Sequence, residues 1–318
     1  MPLRFHLDGE QTFFSISNHY DSDRTTRKTL INTPLVAYGA LNIDKKKTGL
    51  ILRLHMVFYD SLFELSNEDR HNILLLLKDE AMNVTQIAKT LALSLTETSR
   101  HMARLVNIGM AGKDPEGLYH IKPFGRLFLT QIQGVEFISN HSNYFNSHTL
   151  EYLPQELILR LGDLRGSTFV GDVMRVFFNV NRVMVEAEEY FWNINDQYIM
   201  STLPLVKRLA YEDIKARSID LKGYILPPEM KETVSEENLK AAHKARALGS
   251  IEMKTLDQID VFLWMSEKEV AALAFPTLNN GFDYLGFTTK YKRAHRWCSD
   301  LFMYYWDRAE PKTDFSLS

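Results

Sequence analysis

Arg100 and Arg104 stand four residues apart, a spacing that projects both side chains from one face of a helix. A guanidinium is the side chain best suited to a bidentate contact with guanine, so two on one face could address one major groove. Thr96 and Ser99 lie on the same outward side and can bond a base edge or a phosphate. Ser94 opens the segment, and Lys113 and Lys122 flank a turn-rich stretch downstream from which they could grip phosphate. This is the chemistry of reading a duplex rather than of breaking bonds. The plainer alternative is an exposed helix face with ordinary solubilising charges.

The surrounding residues supply the elements that such a reader needs. Ser94 and Glu97 have the S-x-x-E spacing of a capping box, which predicts a helix from Ser94 to Ile108. Thr98, Met102, Leu105 and Ile108 recur on its inner face, leaving Leu95, Thr96, Ser99, Arg100, Ala103, Arg104 and Asn107 outward. A shorter helix, Thr85 to Leu91, precedes it across a turn at Ala92, and Gly109 ends it. Met110 to Lys113 and Leu118 to Lys122, joined by Asp114-Pro115-Glu116-Gly117, read as a hairpin. Upstream, Ser66 to Glu80 reads as a helix capped by Ser66 with Asp69, its buried side made of Ile73, Leu74, Leu76 and Leu77. The order predicts a winged helix-turn-helix over residues 56–122, with the Ser94 to Ile108 helix entering the groove. Between Val84 and Arg126 six basic residues face three acidic ones, so this segment is basic while the chain carries a net charge of −3. A local nucleic-acid footprint fits that contrast. One head makes few phosphate contacts, which favours a dimer on two half-sites.

With 318 residues the chain has room for two or three domains, and its 45 % hydrophobic and 24 % charged residues are ordinary for a globular protein. No window supplies the run of about 18 apolar residues that a membrane helix requires, and Met1 to Asp8 has no signal-peptide core. A cytoplasmic protein without membrane contact is therefore expected. The single cysteine, Cys298, rules out an internal disulfide and any CxxC metal or redox motif, and its place beside Trp297 suggests a packed thiol.

Residues 1–55 form an extension with a polar run, Asp21 to Lys28, a basic run, Lys45 to Lys47, and apolar pieces at Leu35 to Leu41 and Leu50 to Leu54. It is either a basic arm that tracks DNA or non-native sequence upstream of a true start at Met56. Pro123 opens a helix with Phe124, Leu127, Phe128, Ile132, Val135 and Ile138 at helical spacing. Residues 123–149 read as a linker and dimerisation helix, the competing account being packing onto the chain's own head. Residues 150–310 interleave helices and apolar strands and so predict an α/β domain with a mixed sheet, followed by a tail, 311–318. Its expected elements are a short helix from Leu153 to Leu161, a strand at Phe169-Val170, a long helix from Asp172 to Glu189 and a strand from Tyr190 to Ile194. Helix Thr202 to Ile214, strand Arg217 to Leu226 and helix Glu236 to Ala247 follow. Strands at Ile251 to Lys254, Asp260 to Met265, Val270 to Phe275 and Tyr284 to Thr288 precede an aromatic closing helix, Lys292 to Arg308.

Three segments resemble the archaeal winged-helix transcriptional regulators related to the methanogenesis-regulatory family. They are the head, from Leu65-Ser66-Asn67-Glu68-Asp69-Arg70 to Gly125-Arg126-Leu127; Leu153-Pro154 with Leu161-Gly162-Asp163-Leu164; and the ending, where Trp297, Leu301-Phe302 and Tyr304-Tyr305 match a Trp-x-x-x-Leu-Phe-x-Tyr-Tyr signature. The resemblance implies an ArsR-like head joined by a helix to a phospholipase D-like α/β domain. It also implies a transcription factor whose C-terminal domain senses a signal or holds the dimer.

Phospholipase D chemistry would require an H-x-K pair, and the one present, His120-Ile121-Lys122, falls in the hairpin. His243-Lys244 has the wrong spacing, and Thr255 to Asp260 has no histidine. There is no P-loop, GxGxxG or G-x-S-x-G, so no enzyme, cofactor or metal site is expected. A small-molecule effector is more plausible: Trp192, Tyr198, Tyr224 and Trp264 lie near predicted strand ends, where α/β pockets gather, with Asp260 and Asp283 as polar anchors. The competing account has the aromatics filling the core. The expected function is a homodimeric regulator that binds an operator in double-stranded DNA through Ser94, Thr96, Ser99, Arg100, Arg104 and Lys113. The alternatives are a protein-interaction adaptor that keeps the fold, or a small-molecule-binding protein with a vestigial head. An adaptor would show an apolar patch on the outward helix face, where Leu95 is the one large apolar residue expected.

Overall fold

The computed structural model describes residues 5–8, 11–14, 58–197, 205–224 and 235–312. The runs at Asp21 to Lys28, Leu35 to Leu41, Lys45 to Lys47 and Leu50 to Leu54, Met56, Tyr198, the start of the helix expected at Thr202, the end of the strand expected at Leu226 and the last six residues lie outside them. The chain divides into two compact units, Met1–Leu62 and Phe63–Ser318. In the first, β1 (Phe5–Asp8) and β2 (Gln11–Phe14) pair antiparallel, with Phe5 opposite Phe14. Residues 58–65 form a helix, α1.

In the second unit, α2 (Glu68–Asp79), α3 (Val84–Leu91) and α4 (Leu95–Asn107) precede a hairpin of β3 (Ala111–Lys113) and β4 (Tyr119–Ile121). Ile73, Leu74, Leu77, Ile87, Met102, Leu105 and Met110 form their shared core. The inner faces of α2 and α4 are thus the apolar stripes read from the sequence, except that Leu76 and Ile108 are only half-buried. The cap of α2 is Asn67, not Ser66: the Asn67 side chain accepts from Arg70 N at 3.1 Å, while Ser66 Oγ donates to Phe63 O at 2.8 Å. Ser66 therefore finishes α1, and the next helix starts one residue later than expected. Ala92 ends α3 in the left-handed region at φ 54°, a conformation that costs an alanine roughly 1–2 kcal/mol and that the tight α3–α4 turn imposes.

α5 (Pro123–Asn140) starts with proline at its first turn, where the missing N–H costs nothing. Its inner side, Gly125, Leu129, Gln133 and Phe137, is buried. Gly125 is required there, because a Cβ would collide with the carbonyl oxygen of Met110. Leu129 belongs to the core of the three-helix segment and Phe137 to a core against the large sheet.

That sheet has eight strands. In chain order they are β5 (Thr168–Val170), β6 (Tyr190–Asn195), β7 (Lys215–Leu221), β8 (Ile251–Leu256), β9 (Phe262–Ser266), β10 (Val270–Ala274), β11 (Gly286–Thr289) and β12 (Glu310–Pro311). Their spatial order is β12-β8-β7-β6-β9-β10-β11-β5; β6, β7 and β8 run parallel and the other neighbours antiparallel. The parallel strands are joined by helices, as parallel neighbours must be. These are α9 (Val206–Tyr211) and α10 (Glu236–Ala247), which with α8 (Val173–Glu186) cover one face. The other face carries α6 (Ser142–Phe145), α7 (Gln155–Ile158), the 3-10 turn Leu161–Leu164 and the closing helix α11 (Lys292–Trp306). Alternate strand residues feed the two cores: Ile194, Leu263 and Met265 face α11, whereas Phe191, Phe262 and Trp264 face α8.

Several boundaries differ from expectation. α8 stops at Glu186 rather than Glu189, because Ala187 turns extended and buries itself at the entry to β6. The helix expected to reach Ile214 ends at Tyr211, and Ile214 is core. The strand expected from Arg217 runs from Lys215 to Leu221, and Lys222 and Gly223 are a turn. β12 and α6 had no counterpart in the sequence reading; both are too short to carry a periodic signal.

Candidate nucleic-acid interface

The N-terminal half of α4 is built by its cap. Glu97 N donates to Ser94 Oγ at 3.2 Å, Ser94 N to Glu97 Oε2 at 3.2 Å, and Ser94 Oγ itself donates to Glu97 Oε2 at 2.7 Å. The Ser94 bonds hold the Glu97 carboxyl below its ordinary range, with the nearby Arg100 adding to the effect. Ser94, expected to touch DNA, spends its hydroxyl hydrogen on this box and is a cap. α3 has the same device, Asn83 with Gln86, through bonds of 2.8 and 2.9 Å. The N-x-x-Q spacing of Asn83 and Gln86 is the sequence signal of this second cap.

Thr96, Ser99 and Arg100 are exposed together on the outward face of α4, with Ala103 and Asn107 beyond them. Arg104 is placed differently. Its Nε and Nη2 donate to the two carboxylate oxygens of Glu64 at 2.8 and 2.7 Å, and its guanidinium lies 5.4 Å from the centre of the Phe63 ring. Glu64 is buried and also forms an ion pair with Arg70, whose Nε stands 2.8 Å from Glu64 Oε2 and donates to the Glu64 main-chain oxygen at 2.8 Å. The hydrogen bond from Arg104 and the charge of Arg70 hold the Glu64 carboxyl below its ordinary range, against the opposing effect of burial. The expectation that both arginines carry base or phosphate contacts is corrected for Arg104: Arg100 is presented outward, and Arg104 is a clasp between α4 and the end of α1. The outward face is also less polar than expected at its far end, since Val106 joins Leu95 as an exposed large apolar residue.

The hairpin carries its cations at the edges. Lys113 is exposed, with Nζ 5.3 Å from the centre of the Tyr119 ring across the strand pair. Asp114 Oδ1 accepts from Leu118 N at 2.7 Å and closes the tip. His120 and Lys122 are exposed and fold over Gly112, whose absent side chain leaves them room: a Cβ there would stand 2.9 Å from His120 Nε2 and from Lys122 Cε. A third backbone segment joins the hairpin where Met82 and Tyr119 exchange hydrogen bonds of 3.0 and 2.8 Å. Arg126, counted with the basic residues, donates to Lys78 O at 3.1 Å and so caps the end of α2.

Of the six residues expected to gather around an effector, the five among the described residues do not converge. Trp192 is sandwiched between Tyr190 and Phe302, at 4.6 and 4.8 Å between ring centres, on the α11 face. Trp264 is buried on the α8 face. Neighbouring strands place them on opposite sides of the sheet, where Trp264 is core and Trp192 packs, partly buried, against the other core. Asp260 accepts from Gln258 and Tyr305, and burial raises its carboxyl above the ordinary range. Tyr224 alone lines a cleft, at the carboxyl ends of β6 and β7. Asp283, the other proposed anchor, pairs with buried His148 at 3.2 Å. Cys298 is fully buried in the α11 core, and that burial pushes its thiol up. Among the described residues no helix is long and apolar enough to cross a membrane.

No protein-family model matches the chain, and no curated protein matches it in sequence. Among solved structures it is similar to TrmBL2, described as an archaeal chromatin protein with a novel mode of DNA binding: 16 % identity, 85 % of this chain, 100 % of that chain, TM-score 0.36. It is also similar to a putative O-methyltransferase from Nostoc punctiforme, at 12 % identity, 66 % of each chain and TM-score 0.27. A third is the dimethyltransferase RosA from Streptomyces davawensis, at 13 % identity, 66 % of this chain, 67 % of that chain and TM-score 0.26. Several further similar structures are methyltransferases, at TM-scores of 0.22 to 0.27, and the expectation that the chain is not an enzyme does not stand beside them. That exclusion rested on missing short motifs, which do not cover every class of active site.

Proposed function

We propose that the chain is a DNA-binding transcriptional regulator whose residues 58–122 form a winged helix-turn-helix head. The observation that carries this reading is the outward face of α4. A capped helix N-terminus presents Thr96, Ser99 and Arg100 together and unburied, beside a hairpin edged by Lys113, His120 and Lys122. A recognition helix uses its N-terminal half in this way while a wing holds phosphate. The likeness to TrmBL2 agrees in kind, and the reading rests on the surface itself.

In this reading Arg100 is the base-reading side chain, Thr96, Ser99 and Lys113 support it, and Arg104 fixes the helix that carries it. The partner is an operator in double-stranded DNA. A second copy of the chain docks along α5, whose outer side exposes Leu127 (66 %) and Val135 (60 %) together with Phe124 and Ile138. The C-terminal mixed sheet, phospholipase D-like in this reading, receives the signal and alters the spacing of the two heads.

Fluorescence anisotropy on DNA from the protein's own upstream region, across a salt series, tests the reading. Salt-sensitive binding that exceeds binding to random duplex, with that preference lost in Arg100→Ala, is the expected result. Equal, weak binding to every duplex, unmoved by the substitution, overturns it.

A further inference from the structure

The outer side of α8 carries a line of large apolar side chains open to solvent. Met174 is 72 % exposed, Phe178 66 % and Val185 54 %, while Val176, Val180, Val183 and Met184 on the inner side are buried. At about 100° per residue, Met174, Phe178, Asn181 and Val185 fall within about 60° of arc, so they form one stripe. Single exposed apolar residues are ordinary, but an aligned set marks a contact surface. The matching positions of α10, on the same face of the sheet, hold Glu236, Lys240 and His243, a solvated side. Nor is the stripe a frayed end. Asp172 Oδ1 accepts from Met174 N at 2.8 Å, and Arg208 of α9 donates to the main-chain oxygens of Met184, Val185 and Ala187 at 2.5, 2.7 and 3.0 Å.

The charges beside the stripe select what covers it. Arg175 near the start of α8 and Glu186 at its end are both exposed. They lie on the same flank, about 100° and about 120° round the helix from Met174. Two α8 helices placed antiparallel about a two-fold axis therefore set Arg175 opposite Glu186 of the other copy, twice. The same arrangement sets Met174 against Val185 of the other copy and brings the two Phe178 side chains beside the axis. A parallel pair would set each charge against its like. The pattern is thus complementary to itself, as a two-fold interface must be. A lipid surface fits it poorly, because Glu186, Glu188 and Glu189 are exposed together at one end, where an interfacial helix would carry lysine or arginine.

We propose that α8 pairs antiparallel with α8 of a second copy of this chain. This is a second self-association face, carried by the C-terminal domain, and it does not depend on the docking proposed along α5. Three large apolar side chains on a helix about 21 Å long bury less than the roughly 800 Å² per partner of a standard interface. The contact is therefore weak and forms as concentration rises. Where heads pair along α5, the α8 contact joins one pair to the next, so that two operators are held together. That consequence rests on the proposed regulator; the contact itself does not.

Sedimentation equilibrium of the full-length protein without DNA, over a series up to about 1 mM, tests the proposal. The wild-type mass should at least double with concentration, from whichever species it starts, and Phe178→Glu, checked for folding by its thermal melt, should abolish the rise. A wild type whose mass does not rise, or an equal rise in folded Phe178→Glu, would overturn the proposal. Disulfide trapping reads the orientation. Met174 and Val185 stand about 16 Å apart along one helix, whereas a disulfide needs Cα atoms within about 7 Å, so no bridge can form within a chain. The double variant Met174→Cys/Val185→Cys should therefore oxidise to a covalent pair, and each single variant should not; Cys298 is buried and takes no part. No pair from the double variant, or pairs formed equally by the single ones, would overturn the antiparallel contact. Failure of the α5 docking would change the starting mass and leave the doubling, so the two readings fail separately.

Discussion

Arg104 on α4 and Glu64 at the end of α1 hold each other through two parallel hydrogen bonds of 2.8 and 2.7 Å, with Arg70 of α2 on the same carboxylate. One buried carboxylate therefore ties three helices together. Glu64→Ala removes the shared acceptor and leaves the guanidinium of Arg70 buried without its counter-charge, a class of change that costs about 3–5 kcal/mol. Arg104→Ala costs less, because the Glu64 carboxylate it leaves behind keeps Arg70 as its counter-charge and the lost ion pair was half open to solvent on the Arg104 side. Urea melts of the two variants should show this order; an equal or larger loss in Arg104→Ala would contradict it.

The same carboxylate sets a pH dependence. Its folded pKa lies below the ordinary value of 4.5. A depressed carboxylate contributes stability that is present above the unfolded pKa and is lost as pH falls through the folded one. The wild type should therefore lose stability below about pH 4.5 more steeply than Glu64→Gln, which has no charge there to lose. Parallel stability curves for the two proteins through that window would remove Glu64 as the cause.

At the start of α4, Ser94→Ala deletes the side-chain half of the capping box and should cost about 1 kcal/mol, with Asn83→Ala costing a similar amount at α3. The two helices have separate caps, so the double variant should lose nearly the sum. Chemical denaturation of the three proteins checks both statements.

On α5, Val135→Glu and Leu127→Glu place a charge on the exposed apolar side and spare the buried one. If a second copy docks there, sedimentation should shift from dimer to monomer while the melting temperature measured at low concentration changes little. Unchanged sedimentation in both variants would move the interface elsewhere.

Cys298 should resist thiol reagents in the native protein and react fully in denaturant, because it is sealed beside Trp297 and Leu301. Native-state labelling at the rate of a free thiol would mean that α11 opens readily.

The sequence made α4 legible because its apolar residues recur every three to four positions and its cap is written in four consecutive residues. The closing helix and the parallel strand segments were legible for a similar reason. What stands opposite an outward residue was not legible. Arg100 and Arg104 look alike in a periodic pattern, and only the fold of a segment 40 residues upstream, which sets Glu64 beside Arg104, separates them. Trp192 and Trp264 likewise looked like companions until strand register put them on opposite faces. The polar pairing of Asn193 with Ser218 and Asn195 with Asp220 is not legible in the sequence, because each is an ordinary strand residue alone and their meeting depends on two strands being adjacent and parallel.

α5 begins against Met110 with no room for even a methyl group at Gly125, and it ends with Phe137 in the core beneath the large sheet. Eighteen residues of helix are about 27 Å long, so a tilt of about 10° at one end displaces the other by about 5 Å. A rod anchored at both ends works as a lever arm: small angular play at the sheet becomes a displacement at the hairpin as large as the rise of one helical turn. Softening that rod at an exposed position near its middle, as Gln131→Gly would, should separate the mechanical behaviour of the two ends without unfolding either.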